Sequence, residues 1–442
     1  MLESSRPQVL LIHPWIYDFA AFNLWIEPLG LLTIAAALRD QGYDVTVIDC
    51  LAPHASAPPP RHNATGKLLK TVVDKPAPLA FVPRRFGRYG LPLDAFDARL
   101  AAIPTPELVM VASGMTYWYP GVVEAIRRVR ARFGSVPVAV GGIYATLCPE
   151  HARQHSLADR VIAGPGVAEA LRFADEVTGR HSELNSDPCT WPAPAHELVP
   201  RPYAGIVTAW GCPYRCSYCA SHHLQPGFVR RESSAVVAEI AVCARRGIRE
   251  FAFYDDALLV DAGHHLVPIL EGVASQGLQV RFHTANGLHA REITAELAGL
   301  MRRAGMGTVR LSLETVDPGR QQATGGKVST SDWLQAVAYL RAAGFGTEEL
   351  GAYVLAGLPG QLLEETEETV RFVHRMCIQA KLALFSPIPG TPDGDHVLPA
   401  DADPLLHNDT VFPYLMGSEY VRELQRIKLL AKEGNAALVR RA

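Results

Sequence analysis

The sequence predicts an α/β protein of two units: a Rossmann-like, doubly wound parallel sheet, then a partial TIM-type barrel of six strand–helix units, ending in a helical carboxyl-terminal extension. Three observations carry this. Short apolar segments of strand character alternate with segments of helical periodicity, the pattern of a parallel sheet whose crossovers are helices. The alternation runs through twice, and a polar, proline-rich stretch separates the two runs as domain boundaries do. The chain has 442 residues, more than the ~100–200 of one ordinary domain.

The first run opens with the strand QVLLIH (8–13), the helix PLGLLTIAAALRDQG (28–42) and the strand DVTVID (44–49). It resumes with ELVMVAS (107–113), a helix over 120–133, VPVAVGG (136–142), RVIAG (160–164) and a helix from Val167 to about Val177. An open sheet of about five strands follows, with its ligand site at the strands' carboxyl ends. Residues 51–104 form a long insertion rich in Pro, Gly and Arg without a clear period, which is more often a functional loop or lid than filler. Within it, PRRFGRY (83–89) reads as a solvated loop, with grip on an anionic substrate as the alternative. The first domain is placed at 1–180, and the polar stretch supplies a linker over 181–203.

The second run begins with GIVTAW (205–210), the helix SSAVVAEIAVCARRG (233–247), REFAFYD (249–255), a helix over about 262–276 and LQVRFHT (278–284). It continues with helix 293–305, TVRLSLE (308–314), helix 331–344, ELGAYVLAG (349–357), helix 364–376 and KLALFSP (381–387). These six units, over 204–395, place a site at the carboxyl ends of the strands. The extension, 396–442, has a helical pattern at 419–438 that packs back on the barrel.

Hydrophobic residues at 48% and charged residues at 20% supply sizeable cores. The net charge of -3 lacks the basic excess of a nucleic-acid binder, so no nucleic-acid partner is expected. The apolar run from Leu29 to Leu38 is well short of the ~18–20 residues that span a bilayer. Near the amino terminus Glu3 and a short apolar stretch fit a buried strand better than a secretory signal, and the chain reads as cytoplasmic. Eight cysteines are too sparse for a disulfide framework, but three of them cluster.

GCPYRCSYCAS places Cys212, Cys216 and Cys219 in a C-x3-C-x2-C loop directly after the first strand of the second run. Three thiolates can hold three irons of a 4Fe-4S cluster and leave the fourth open to a ligand. A structural zinc completed by His222 or His223 is the alternative. The loop, with aromatic Tyr218 before its last cysteine, resembles the signature of the radical S-adenosylmethionine (SAM) enzymes. That resemblance covers about residues 200–395 and implies a 4Fe-4S cluster whose open iron chelates SAM, one electron then yielding a 5'-deoxyadenosyl radical.

The resemblance also implies SAM contacts at Tyr218, Asp255, Asp256, Asn286, Ser312, Glu314 and Gly357. Asp255 and Asp256 are similar to the acidic element that receives the SAM ammonium, a helix cap being the plain alternative. Asn286 stands before a glycine, as in an ordinary turn. Ser312 and Glu314 end the fourth strand, and polar residues on a buried strand need partners. Gly357 to Gly360 are similar to the adenine-binding element, where Gln361 replaces the Glu of many relatives. FSPIPGT (385–391) resembles the last strand and turn of radical domains fused to a cobalamin-binding region.

The amino-terminal half resembles the cobalamin (B12)-binding domains that precede such barrels. Its markers are Ser113 and Met115, then Gly141 and Gly142, with Tyr117 in an aromatic block, MTYWYP, where a corrin face could pack. The chain departs from that pattern after its second strand, where Asp49, Cys50 and Leu51 stand in place of an Asp-x-His-x-x-Gly segment, so no histidine is marked as a lower cobalt ligand. His54 and His62 in the insertion read as exposed loop residues. Cys50, Cys148 and Cys189 could hold a second cluster, as in the methylthiotransferases, although they are widely spaced. Cys243 and Cys377 fall on apolar helix faces and read as core.

Together the resemblances imply a cobalamin-dependent radical SAM enzyme that methylates an unactivated carbon of a small molecule, with 4Fe-4S, SAM and cobalamin as cofactors and a flavodoxin- or ferredoxin-type reductant. A radical SAM enzyme without cobalamin is the alternative, and a non-catalytic corrinoid or zinc regulator is a third reading. No residue is marked as catalytic.

Overall fold

In the first unit, five strands form one parallel sheet: β1 (Gln8–His13), β2 (Asp44–Asp49), β3 (Leu108–Ser113), β4 (Val138–Gly142) and β5 (Arg160–Ile162). Their order is β5-β4-β3-β1-β2. Chain order reverses between β1 and β3, and ligands bind at such a switch point in doubly wound sheets. Val9 and Leu11 face one layer, α1 (Leu29–Asp40) and α4 (Val167–Thr178), while Leu10 and Ile12 face α2 (Leu93–Ala101) and α3 (Tyr119–Phe133). Burial on both faces explains why these strands read as unbroken apolar runs. The computed structural model describes residues 6–183 and 186–441, so Glu3, residues 184 and 185 of the expected linker, and Ala442 lie outside the described residues.

Two expectations are corrected here. The insertion is partly ordered: Gly87–Tyr89 is the middle strand of a small antiparallel sheet between Ile16–Asp18 and Lys70–Val72. PRRFGRY is therefore no solvated loop in its second half, where Gly87, Arg88 and Tyr89 are buried and the Arg88 guanidinium lies 6.0 Å from the Trp15 ring centre. The expected linker belongs to the first compact unit, which runs through Pro202 and also takes in 223–225 and 403–406. It is anchored by Ala195, whose N–H donates to the Leu32 carbonyl (3.1 Å), and by the buried pair His196–Glu27 (2.8 Å).

The second unit carries six parallel strands in sequential order: β6 (Tyr203–Ile206), β7 (Glu250–Phe253), β8 (Arg281–Thr284), β9 (Met306–Glu314), β10 (Leu350–Ala356) and β11 (Gln379–Leu384). Between them run α5 (Ser233–Arg245), α6 (Leu266–Ser275), α7 (Ala295–Arg303), α8 (Thr330–Ala342) and α9 (Leu363–Arg375). This is a partial barrel around one large apolar core. Helix α9 ends before Cys377, which sits exposed at φ 56° and is not core, whereas Cys243 is buried. The final helix, α10 (Ser418–Arg441), covers the open edge of β11. Its Asn435 side chain accepts from the Ala380 N–H and donates to the Ala380 carbonyl, both at 2.8 Å, standing in for a missing strand. No helix among the described residues is long and apolar enough to cross a membrane.

Candidate active site

The strand expected over 205–210 stops at Ile206, and the cause lies at the site. Asp255, directly after β7, accepts from the Thr208 N–H (3.0 Å), the Thr208 hydroxyl (2.6 Å) and the Ala209 N–H (2.7 Å). These bonds take the backbone donors a longer strand would use, and the chain turns away into Ala209–Trp210, paired antiparallel with Val229–Arg230. Asp255 is buried, which pushes its carboxyl up to about 6 against the pull of those donors. Its neighbour Asp256 keeps exposed surface, although packing around the carboxyl raises its pKa against the pull of the Ser221 hydroxyl. Asn286 braces the same turn, donating to the carbonyls of Tyr254 (2.9 Å) and Asp255 (3.2 Å).

The turn delivers Cys212, Cys216 and Cys219 to the carboxyl end of β6 as unpaired thiols, Cys216 buried and the other two half-buried. Burial pushes the Cys212 thiol up to about 11, and Asp256, Cys219 and Cys216 add to the rise. Cys216 rises too, chiefly by burial. A metal that displaces their protons would hold such thiols as thiolates. Among the described residues, no three His, Cys, Asp or Glu side chains gather closely enough to share one metal ion. A four-iron cluster does not ask for that, because each thiolate takes a different iron. The loop is held from outside: Ser217 donates to the Asp393 carboxylate (2.6 Å), and the Asp393 N–H donates to the Ser217 carbonyl (3.1 Å).

At the end of β9 the backbone is strained. Glu314 has φ 66°, and the pairing with β10 shifts register between Ser312 and Glu314. Strain of ~1–3 kcal/mol at a non-glycine residue marks a position held for a reason. Glu314 pairs with Lys327 at 2.7 Å, both largely buried, and the Lys327 ammonium lies 5.6 Å from the Tyr218 ring centre. Burial opposes the charge on Lys327, but Glu314 holds its pKa well above the ordinary value. Gly287 lets the Asn286 turn pass Ser312, since a Cβ there would lie 2.4 Å from the Ser312 hydroxyl.

After β10, Gly357 has φ 96°, a conformation that favours glycine. Gln361 accepts from the N–H groups of Gly357 (2.8 Å) and Leu358 (3.2 Å) and donates to the Leu355 carbonyl (3.1 Å). An amide can do both and a carboxylate cannot, which gives the Glu replacement a physical reason.

Sequence reasoning missed three members of this site. Lys327 and Gly325 lie in TGGK between two helices, where a Gly pair before a lone Lys was the available signal. His289, on a short strand beside Ser312, stacks 4.5 Å from the ring of Tyr214 in the cysteine loop. Burial, then Lys327 and Arg291, lower it to about 3, so its imidazole is neutral, and its buried Nδ1 has no hydrogen-bond partner.

In the first unit, Ser113 donates to the Gly141 carbonyl (2.7 Å) and accepts from the Ala145 N–H (3.2 Å), locking the ends of β3 and β4 together. A Cβ on Gly142 would meet the Ser113 carbonyl at 2.3 Å, so the glycine is demanded first by that strand. Met115 is 43% exposed at the same edge, while Tyr117 is buried edge-on against Trp118.

The six-stranded parallel partial barrel thus carries a loop of three cysteines directly after its first strand. Residues 206–373 match the family model of the radical SAM superfamily, and the chain carries a radical SAM domain. An uncharacterized methyltransferase of Pyrococcus horikoshii is 25% identical over 400 residues, 82% of this chain and 77% of the relative. Hopanoid C-3 methylase of Methylococcus capsulatus is 22% identical over 369 residues, 76% of this chain and 63% of that enzyme, so the chain spans less than two thirds of its length. Among solved structures, the radical SAM methyltransferase TsrM of Kitasatospora setae, with cobalamin and a [4Fe-4S] cluster bound, superposes with a TM-score of 0.65 at 18% identity. The alignment covers 89% of this chain and 74% of TsrM. The cobalamin-dependent radical SAM enzyme OxsB gives 0.60 at 14% identity, over 97% of this chain and 62% of OxsB. At these identities the likeness shows the fold: a Rossmann-like unit followed by a partial barrel.

Proposed function

We propose that this protein is a cobalamin-dependent radical SAM methyltransferase that transfers a methyl group to an unactivated carbon of a small molecule, in the cytoplasm and with a flavodoxin- or ferredoxin-type reductant. The observation that carries the reading is the loop of three unpaired thiols at the carboxyl end of β6, in a chain whose other unit ends its β3 and β4 strands on Ser113 and Gly142. When bound, the cluster supplies one-electron cleavage of SAM, and cobalamin supplies the methyl carrier. Cys212, Cys216 and Cys219 hold the cluster, with Tyr218 alongside. Asp256, and not the fully engaged Asp255, offers its carboxylate to the SAM ammonium. Ser312 and Glu314 present polar groups from β9, and Gly357, whose φ of 96° favours glycine, turns the backbone after β10 for the adenine. Leu355, Leu358, Phe385 and Phe412 pack against Tyr218 and keep water from that wall. In the first unit Ser113, Met115, Tyr117, Gly141 and Gly142 line the edge proposed for cobalamin.

Anaerobic reconstitution tests this. The wild type should take up about four irons per chain, bind cobalamin and cleave SAM, and Cys216→Ala should lose iron and cleavage together while keeping its circular dichroism. Retained cleavage in that variant refutes the cluster loop. Cleavage by a wild type that binds no cobalamin reduces the reading to the radical SAM class.

A further inference from the structure

We propose that His13 is the lower axial ligand of cobalt in the cobalamin-loaded protein; this rests on the cobalamin reading above. Strands β1 and β2 are adjacent and parallel, and their register sets His13 opposite Asp49 at the carboxyl end of the pair. Side chains alternate along a strand, so His13 continues the face of Val9 and Leu11, as Asp49 continues that of Val45 and Val47. The imidazole Nδ1–H donates to Asp49 Oδ1 at 2.8 Å.

Asp49 is itself fixed. It is 4% exposed, accepts from the Leu51 N–H (2.9 Å) and is ion-paired with the buried Arg201. With Nδ1 held by a fixed carboxylate, Nε2 is the ring nitrogen left to meet a ligand. Among the described residues the bond to Asp49 is the one hydrogen bond of the His13 imidazole, and the side chain remains 15% exposed. A histidine that ligates a metal characteristically donates its other ring N–H to a carboxylate. This one ends β1, the strand that borders the switch point where a doubly wound sheet binds its ligand. Arg201 and the Leu51 N–H would satisfy Asp49 without an imidazole, so a purely structural role leaves the open nitrogen unused.

The pairing also explains why no histidine was legible as a cobalt ligand. Asp and His lie 36 residues apart and meet only through strand register.

The test is electron paramagnetic resonance of protein loaded with aqua-cobalamin and mildly reduced to cob(II)alamin. Each cobalt line should split into three from one axial nitrogen. In protein grown with nitrogen-15 histidine the three should become two, which excludes the cofactor's own unlabelled base. In His13→Ala the histidine splitting should vanish while cobalamin stays bound, and added imidazole should restore it. Bound cobalamin with unsplit lines, or with splitting indifferent to histidine labelling, overturns the inference and leaves cobalamin binding intact. Failure to bind any cobalamin overturns the cobalamin reading and this inference with it. The labelling arm needs no variant, so a poorly folding His13→Ala does not blunt the test.

Discussion

Asp255 shows how one side chain shapes the site without being free to serve a ligand. Its carboxyl, buried and raised to about 6, is protonated in the native protein at pH values where an unfolded chain, with an ordinary Asp near ~3.9, has lost that proton. Between these values the native state binds more protons than the unfolded state, so the contribution of Asp255 to stability is full below about pH 4 and is lost as pH rises through about 6. Asn keeps an acceptor for the Thr208 and Ala209 N–H groups and has no proton to lose. Asp255→Asn should therefore gain stability relative to wild type as pH rises from about 4 to about 6, by an amount of order 3 kcal/mol. Paired urea titrations across this range check it, and a difference that does not change with pH refutes it. The family resemblance marked both aspartates for SAM; only the hydrogen-bond accounting separates Asp255, which builds the turn, from Asp256, which keeps exposed surface.

At the scale of elements, the parallel strands were legible because burial on both faces leaves unbroken apolar runs, and the cysteine loop was legible because its ligands are close in sequence. What stayed illegible depends on contacts between distant segments. The break after Ile206 is set by a carboxylate 47 residues on from Thr208, the order in PRRFGRY by pairing across a small sheet, and the anchoring of the polar stretch before Pro202 by single contacts such as His196–Glu27. The TGGK loop is the same kind of case. Gly325 has φ 112°, and a Cβ there would lie 3.1 Å from the Arg215 carbonyl and 3.3 Å from the Cys216 Cα. Both atoms are backbone of the cysteine loop and cannot swing aside. Gly325→Ala should thus displace the loop with little effect on the barrel behind it. The expected outcome is a folded protein, by circular dichroism, that retains less than half the wild-type iron after desalting. Full iron retention would show that the loop tolerates the shift.

At the scale of the whole molecule, the first unit buries apolar side chains on both faces of β1 to β5, and the second builds an apolar core on β6 to β11. Each proposed cofactor belongs to one unit, cobalamin to the first and the cluster to the second. A ligand that binds only the folded state stabilises it by RT ln(1 + [L]/Kd), about 2.7 kcal/mol at a hundredfold excess over Kd. For a unit of about 200 residues, each kcal/mol moves the melting temperature by roughly 2–4 °C, so saturating cobalamin should raise one calorimetric transition by about 5–10 °C. Chelating the iron should lower the other and leave the cobalamin-sensitive one in place. Because each cofactor is assigned to one unit, each shift should keep its size whether or not the other cofactor is present. A single transition that both treatments move together would mean that the two cores melt as one cooperative unit, and the assignment of one cofactor to each would then need evidence other than stability.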